Sequence, residues 1–197
     1  MVSSALKPAV SRVIEPIARV AVKLGITPNA VTLLGTAATT ASALYFFPRG
    51  DLFLGTLVIS LLALSDLFDG AIARASDQGP SAWGGFLDST CDRLTDASIL
   101  GGLAIYCFIE DNRLGPVVIA GLVLGFLVPY IRAKSESFGV PCSVGVAERT
   151  ERLILTLVAI GLHGINIPYA LAVGLWVLVL LSSITVLQRV SVVRRGL

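Results

Sequence analysis

Charge is what this sequence has least of. Of its 197 residues, 14% are Asp, Glu, Lys or Arg, where a soluble domain carries about 25%. That shortage excludes an ordinary water-facing surface. Ten-residue stretches of alternating polarity, the mark of a transmembrane barrel, do not occur. The three cysteines, Cys91, Cys107 and Cys142, show no metal-ligand spacing and predict no disulfide framework. The single histidine, His163, falls near the outer end of an apolar run and reads as interfacial rather than catalytic. There is no low-complexity run and no convincing internal repeat, so residues 1–197 read as one domain. Nothing predicts a nucleic-acid partner.

What the chain does have is long apolar runs. It is 55% hydrophobic, with a mean hydropathy of +0.85. The runs approach the ~20 residues that a helix needs to cross ~30 Å of hydrocarbon. Six spans are predicted, at roughly 29–48, 52–75, 83–109, 114–135, 148–165 and 168–188. Gly and Pro mark the joints, as in "FPRGD" at 47–51 and "GINIP" at 164–168. The expected fold is an all-α polytopic membrane protein with six transmembrane helices.

The basic residues orient it. With both termini in the cytoplasm, twelve of the 15 Lys and Arg residues fall on the inner side, two (Arg49 and Arg113) outside, and Arg93 within a span. This is a strong positive-inside bias. Residues 3–24 place Leu6, Val10, Val13, Ile17 and Leu24 on one helical face and Lys7, Arg12, Arg19 and Lys23 elsewhere. That predicts an amphipathic N-terminal helix on the inner leaflet, among membrane lipids with anionic headgroups. A signal peptide needs an uninterrupted apolar core, and the charges at 12, 15, 19 and 23 deny it one.

Against this background one segment stands apart. Residues 65–96 hold Asp66, Asp69, Asp77, Asp88, Asp92 and Asp96, nearly half of the 13 acidic residues. An ionised carboxylate at mid-bilayer costs at least ~2.5–3.5 kcal/mol on insertion scales, so the cluster demands a cation or a watery cavity. Asp66 follows Leu52 by about 21 Å of helix, toward the inner end of the second span. Asp88 and Asp92 return to that depth as the third span begins. Asp66 and Asp69 are spaced i,i+3, and Asp88, Asp92 and Asp96 i,i+4,i+8, so each set shares a helical face. Facing carboxylate pairs on antiparallel helices form an oxygen-rich cage suited to Mg²⁺ with substrate phosphates. Gly70, Ala71, Ala73, Gly84 and Gly85 let helices and a bulky headgroup approach, and Arg74 adds a phosphate-binding fork. Asp96 is as readily structural as functional, and Asp77 reads as a solvated loop residue. Arg93 is expected to pair with a nearby carboxylate or line the cavity. Trp83 and Trp176 read as interfacial or packing residues.

Asp66-x-x-Asp69-Gly70-x-x-Ala73-Arg74, followed by Gly84-x-x-x-Asp88-x-x-x-Asp92, resembles the signature of the CDP-alcohol phosphotransferases. Nine residues separate Arg74 from Gly84, one more than the family's familiar spacing, and the excess falls in the loop "SDQGPS". The resemblance implies transfer of a phosphatidyl group from CDP-diacylglycerol to an alcohol with release of CMP. It implies that Asp66, Asp69, Asp88 and Asp92 hold one or two Mg²⁺ or Mn²⁺ ions, and that Asp92 is also the catalytic base. Donor contacts would come from Asn29, Ala30, Val31 and Thr32 of "PNAVT", and from Gly70, Arg74 and Ser81. The resemblance also implies a homodimer in the cell membrane with the site facing the cytoplasm.

"RAK", "AERTER" and "LDSTCDR" resemble the actinobacterial phosphatidylinositol-phosphate synthases within that family. This implies an inositol phosphate acceptor, D-myo-inositol 3-phosphate, its phosphate held by Lys134 and Arg152 with Arg194 or Arg195. The nearest rival is a phosphatidylglycerophosphate synthase, whose glycerol 3-phosphate acceptor also carries a phosphate. A divalent-cation transporter would spread its acidic residues along a route through the membrane, whereas here they gather at the inner end. A purely structural membrane partner leaves the carboxylate cost unexplained.

Overall fold

A computed structural model of the chain describes residues 25, 27–63, 72 and 81–197. Every regular element among the described residues is helical. Helix α1 runs Pro28–Phe46 and tightens into a 3₁₀ turn, Phe47–Arg49. Helix α2 is Leu52–Ala63, α3 Ala82–Ile109, α4 Gly115–Ser137, α5 Arg149–Gly164 and α6 Ala170–Gly196. A helix thus lies in each of the six expected apolar segments. Three segments, Pro28–Arg49, Gly115–Ser137 and Ala170–Gly196, are long and apolar enough to cross a membrane. The expected amphipathic helix at 3–24 lies outside the described residues, as do Asp66, Asp69, Gly70, Arg74 and Asp77.

The last helix departs from expectation: it continues to Gly196, well past the predicted end at 188. Hydropathy falls there, but the inward face does not end. Leu171, Gly174, Leu175, Leu178, Ser182, Thr185 and Arg189 form one buried stripe at helical spacing. The inward face thus reaches Arg189, past the predicted end.

The chain divides into two compact units, one of residues 1–41 and 58–95, the other of 42–57 and 96–197. In the second unit, α4 and α5 both pack against α6. Small residues set the approach. A Cβ on Gly174 would collide with the Cβ of Ala159, and one on Gly121 would sit 3.2 Å from Leu178. Gly102 of α3 is packed tightly against backbone, because an added Cβ would lie 2.6 Å from the Ala43 carbonyl oxygen. Ala43 and Phe47 beside it are fully buried, so neither helix can yield cheaply. Gly102→Ala is therefore expected to cost about 1–3 kcal/mol through overpacking. A thermal unfolding midpoint in detergent unchanged from that of the parent chain would contradict this packing.

Candidate functional site

Two helix N-termini build one side of the site in the first unit. Thr27 caps α1, its Oγ1 accepting the Ala30 N–H at 3.3 Å. Pro28 follows as first helical residue, and Asn29, Ala30, Val31 and Thr32 fill the opening turn. The Thr32 hydroxyl donates to the Pro28 carbonyl at 3.1 Å. Ser81 caps α3 in the same manner: its Oγ accepts the Gly84 N–H at 3.0 Å, and its carbonyl accepts the Gly85 N–H at 3.0 Å. The two helix starts meet at Gly84. A Cβ there would stand 3.1 Å from Ser81 Oγ and 3.4 Å from Asn29 Oδ1, so Asn29, Ser81 and Gly84 share one small space. Gly85 opens onto unfilled space, with nothing within 4 Å of an added Cβ. Polar side chains and helix-start N–H groups together favour an anion.

Downstream on α3 the carboxylates follow in order. Asp88, Asp92 and Asp96 lie on one face, each about 6 Å along the axis from the next. Asp88 is exposed. Asp92 is largely covered, its Oδ2 3.6 Å from Arg93 Nη2. Among the described residues no three His, Cys, Asp or Glu side chains converge as a metal cluster. The other half of the expected cage, Asp66 and Asp69, lies outside them with Gly70 and Arg74. What the described half offers is two hard oxygen donors one turn apart on a single helix, a donor set that fits Mg²⁺ or Mn²⁺.

The second unit contains a cavity walled by Asp96, Arg149, Arg152 and Thr156, with Ile99, Leu100, Gly121, Gly125, Leu153 and Leu178. Arg149 and Arg152 occupy the first turn of α5. Arg149 Nε stands 3.5 Å from Asp96 Oδ1, with both side chains about one-fifth exposed. Arg152 is only 7% exposed, and its carbonyl accepts the Thr156 hydroxyl at 2.8 Å. Lys134, in the last turn of α4, lays its ammonium over the Phe138 ring at 4.5 Å. Arg194 and Arg195 are exposed at the end of α6. Of the four expected acceptor cations, the cavity wall includes Arg152 alone.

Two features escaped the reading of the sequence. Asp96 is the ionic partner of Arg149, and the clue was its place in the i,i+4 series of α3. Arg189 entered only as one more inner cation, yet it is 6% exposed and hydrogen-bonded to two backbone carbonyls. A single arginine within the apolar run "VLQRVSVV" was its signal.

The model of the family described as CDP-alcohol phosphatidyltransferase matches residues 25–189. The chain belongs to that family. This CDP-alcohol phosphatidyltransferase is 44% identical to a phosphatidylinositol phosphate synthase of Streptomyces avermitilis, over 94% of this chain and 79% of that one. It is 39% identical to the phosphatidylinositol phosphate synthase of Mycolicibacterium smegmatis, over 91% and 83% of the two chains. Its fold is similar to the crystal structure of the Mycobacterium tuberculosis phosphatidylinositol phosphate synthase with CDP-DAG bound. The TM-score is 0.87, at 39% identity, covering 92% of this chain and 94% of that one. The same synthase in complex with manganese and citrate also gives 0.87, covering 92% and 88%.

Proposed function

We propose that this phosphatidyltransferase moves the phosphatidyl group of CDP-diacylglycerol onto a hydroxyl of D-myo-inositol 3-phosphate, giving phosphatidylinositol phosphate and CMP. The observation that carries this reading is the likeness, over 92% of the chain, to a synthase solved with CDP-DAG bound. For the acceptor, the support is a nearly buried guanidinium at the head of α5, Arg152, facing a cavity. A planar guanidinium fork matches a phosphate better than a neutral polyol.

In this reading Asn29, Ala30, Val31 and Thr32 of α1 hold the nucleotide donor together with Gly70, Arg74 and Ser81. The Ser81 oxygen accepts an N–H from Gly84, and its own O–H can still donate to the donor. Asp66, Asp69, Asp88 and Asp92 would hold one or two Mg²⁺ or Mn²⁺ ions. Bound there, the metal supplies neutralisation of the charge developing on the pyrophosphate. Asp92 takes the proton of the acceptor hydroxyl as that oxygen bonds to the phosphatidyl phosphorus and the bond from phosphorus to the CMP oxygen breaks. Lys134 and Arg152, with Arg194 or Arg195, hold the acceptor phosphate. We place the chain in the cell membrane as six spans and an N-terminal amphipathic helix, with both termini and the site cytoplasmic. We infer a homodimer from the family resemblance.

The test is CMP release from CDP-diacylglycerol and Mg²⁺ in detergent with inositol phosphate, glycerol 3-phosphate or free inositol. Inositol phosphate is expected to support turnover at least about a hundredfold faster than free inositol, because the acceptor cations are left unpaired by the uncharged polyol. Turnover with glycerol 3-phosphate in its place would keep the chemistry and overturn the acceptor.

A further inference from the structure

Residues 138–148 connect α4 to α5 without regular structure, yet they are tied down along their length. The Ser135 hydroxyl donates to the Val140 carbonyl at 2.7 Å. Beyond it, the side-chain ties come from α6. Arg189 Nε donates to the Val144 carbonyl at 2.9 Å, while its Nη1 donates to the Val128 carbonyl of α4 at 2.6 Å. The Cys142 thiol points to the Arg189 carbonyl at 3.9 Å. Thr185 Oγ1 accepts the Ala147 N–H at 3.3 Å and donates to the Leu181 carbonyl at 2.9 Å. Gly145 takes φ +154°, and an added Cβ would meet Thr185 Cγ2 at 2.6 Å. Cys142 and Ala147 are each 1% exposed. This connection is seated rather than draped.

One guanidinium therefore joins three elements: α4 through Val128, the connection through Val144, and α6 which carries it. A buried charge is costly unless its donors are satisfied. Arg189 has no carboxylate within ion-pair distance among the described residues, so backbone carbonyls take that role. The same three elements carry the expected acceptor cations. Lys134 lies six residues beyond Val128 on α4. Arg152, in the first turn of α5, lies eight residues after Val144, and Arg194 and Arg195 follow Arg189 on α6. We propose that Arg189 is a positioning residue for the acceptor: its two carbonyl bonds fix the separation of Lys134, Arg152 and the α6 terminus, so that their cations close on one phosphate. Thr185 is the second point of the same clamp. This rests on the acceptor reading above, because a clamp on these elements matters to catalysis only if they hold the acceptor.

The test is steady-state CMP release by the full-length enzyme, titrating inositol phosphate at saturating CDP-diacylglycerol and then the reverse. The parent is compared with Arg189→Met, Arg189→Lys, Thr185→Val and Arg152→Gln. Misplacing reacting groups by an ångström costs up to about a hundredfold. Arg189→Met is expected to raise the KM for inositol phosphate about tenfold or more and leave that for CDP-diacylglycerol within about twofold. Arg189→Lys, with one donor centre in place of a fork, is expected to recover part of the loss. Thr185→Val, a smaller change that does not depend on Arg189→Met folding, is expected to raise the same KM about threefold. Equal rises in both KM values would reduce Arg189 to a general stabiliser and overturn the proposal. If Arg152→Gln raises the acceptor KM while Arg189→Met, or Arg189→Lys where Met does not fold, and Thr185→Val leave it unchanged, the clamp fails alone. If Arg152→Gln leaves it unchanged, the acceptor reading fails and takes the clamp with it.

Discussion

Asp92→Asn is expected to lower kcat about a thousandfold, within the 10²–10⁴ range for a lost general base, while CDP-diacylglycerol still binds. The substitution keeps the size and planarity of the side chain but removes its capacity to take a proton. Asp92 sits mid-helix in α3, largely covered and 3.6 Å from Arg93. An amide there can still point an oxygen at a cation, and Asp66, Asp69 and Asp88 keep their charge. The proposed donor contacts, Asn29 and Ser81, belong to helix starts that Asp92 does not build. Loss of turnover should thus separate from loss of binding. Measuring donor affinity with the non-reacting pair, enzyme and CDP-diacylglycerol without acceptor, alongside CMP release with acceptor, makes that separation visible. Turnover within about tenfold of the parent would remove Asp92 as the base and leave it a ligand only.

How far the sequence carried depends on how local each feature is. The six helical segments were legible because apolar runs and their Gly/Pro breaks are a local property, and so was the carboxylate face of α3, which needs only the i,i+4 spacing of Asp88, Asp92 and Asp96. The end of α6 was not legible from hydropathy. Its inward stripe continues through Thr185 and Arg189, and a charged residue ends an apolar window without ending a buried face. Contacts across elements were hidden for a related reason. Nothing in the spacing of "PNAVT" and "SAWGG" announces that Asn29 and Ser81 meet at Gly84. The pairing of Asp96 with Arg149 joins residues 53 positions apart, and only packing brings them together. For Asp66, Asp69, Gly70 and Arg74, the sequence remains the whole of the argument.

Removal of divalent cations is expected to have the other large effect: with excess chelator, CMP release falls below about 1% of the parent rate, and added Mg²⁺ or Mn²⁺ restores it. Several carboxylates gathered in an apolar chain repel one another, and without a cation some must protonate or draw in water. A donor pyrophosphate adds further negative charge to the same place, so the acidic cluster by itself opposes the substrate it is proposed to bind. A divalent ion reverses the sign of that interaction, which makes metal and donor binding mutually dependent. The dependence can be read at Asp88. Asp88 is exposed on α3, and Asn keeps its size and shape while removing its charge. Asp88→Asn is expected to raise the half-saturating Mg²⁺ concentration about tenfold or more, since hard cations are tuned by the charge of their oxygen ligands. It should raise the KM for CDP-diacylglycerol at limiting Mg²⁺ and much less at saturating Mg²⁺. A chelator-resistant rate, or an Asp88→Asn enzyme whose Mg²⁺ requirement is unchanged, would show that these carboxylates serve something other than a metal on the pyrophosphate.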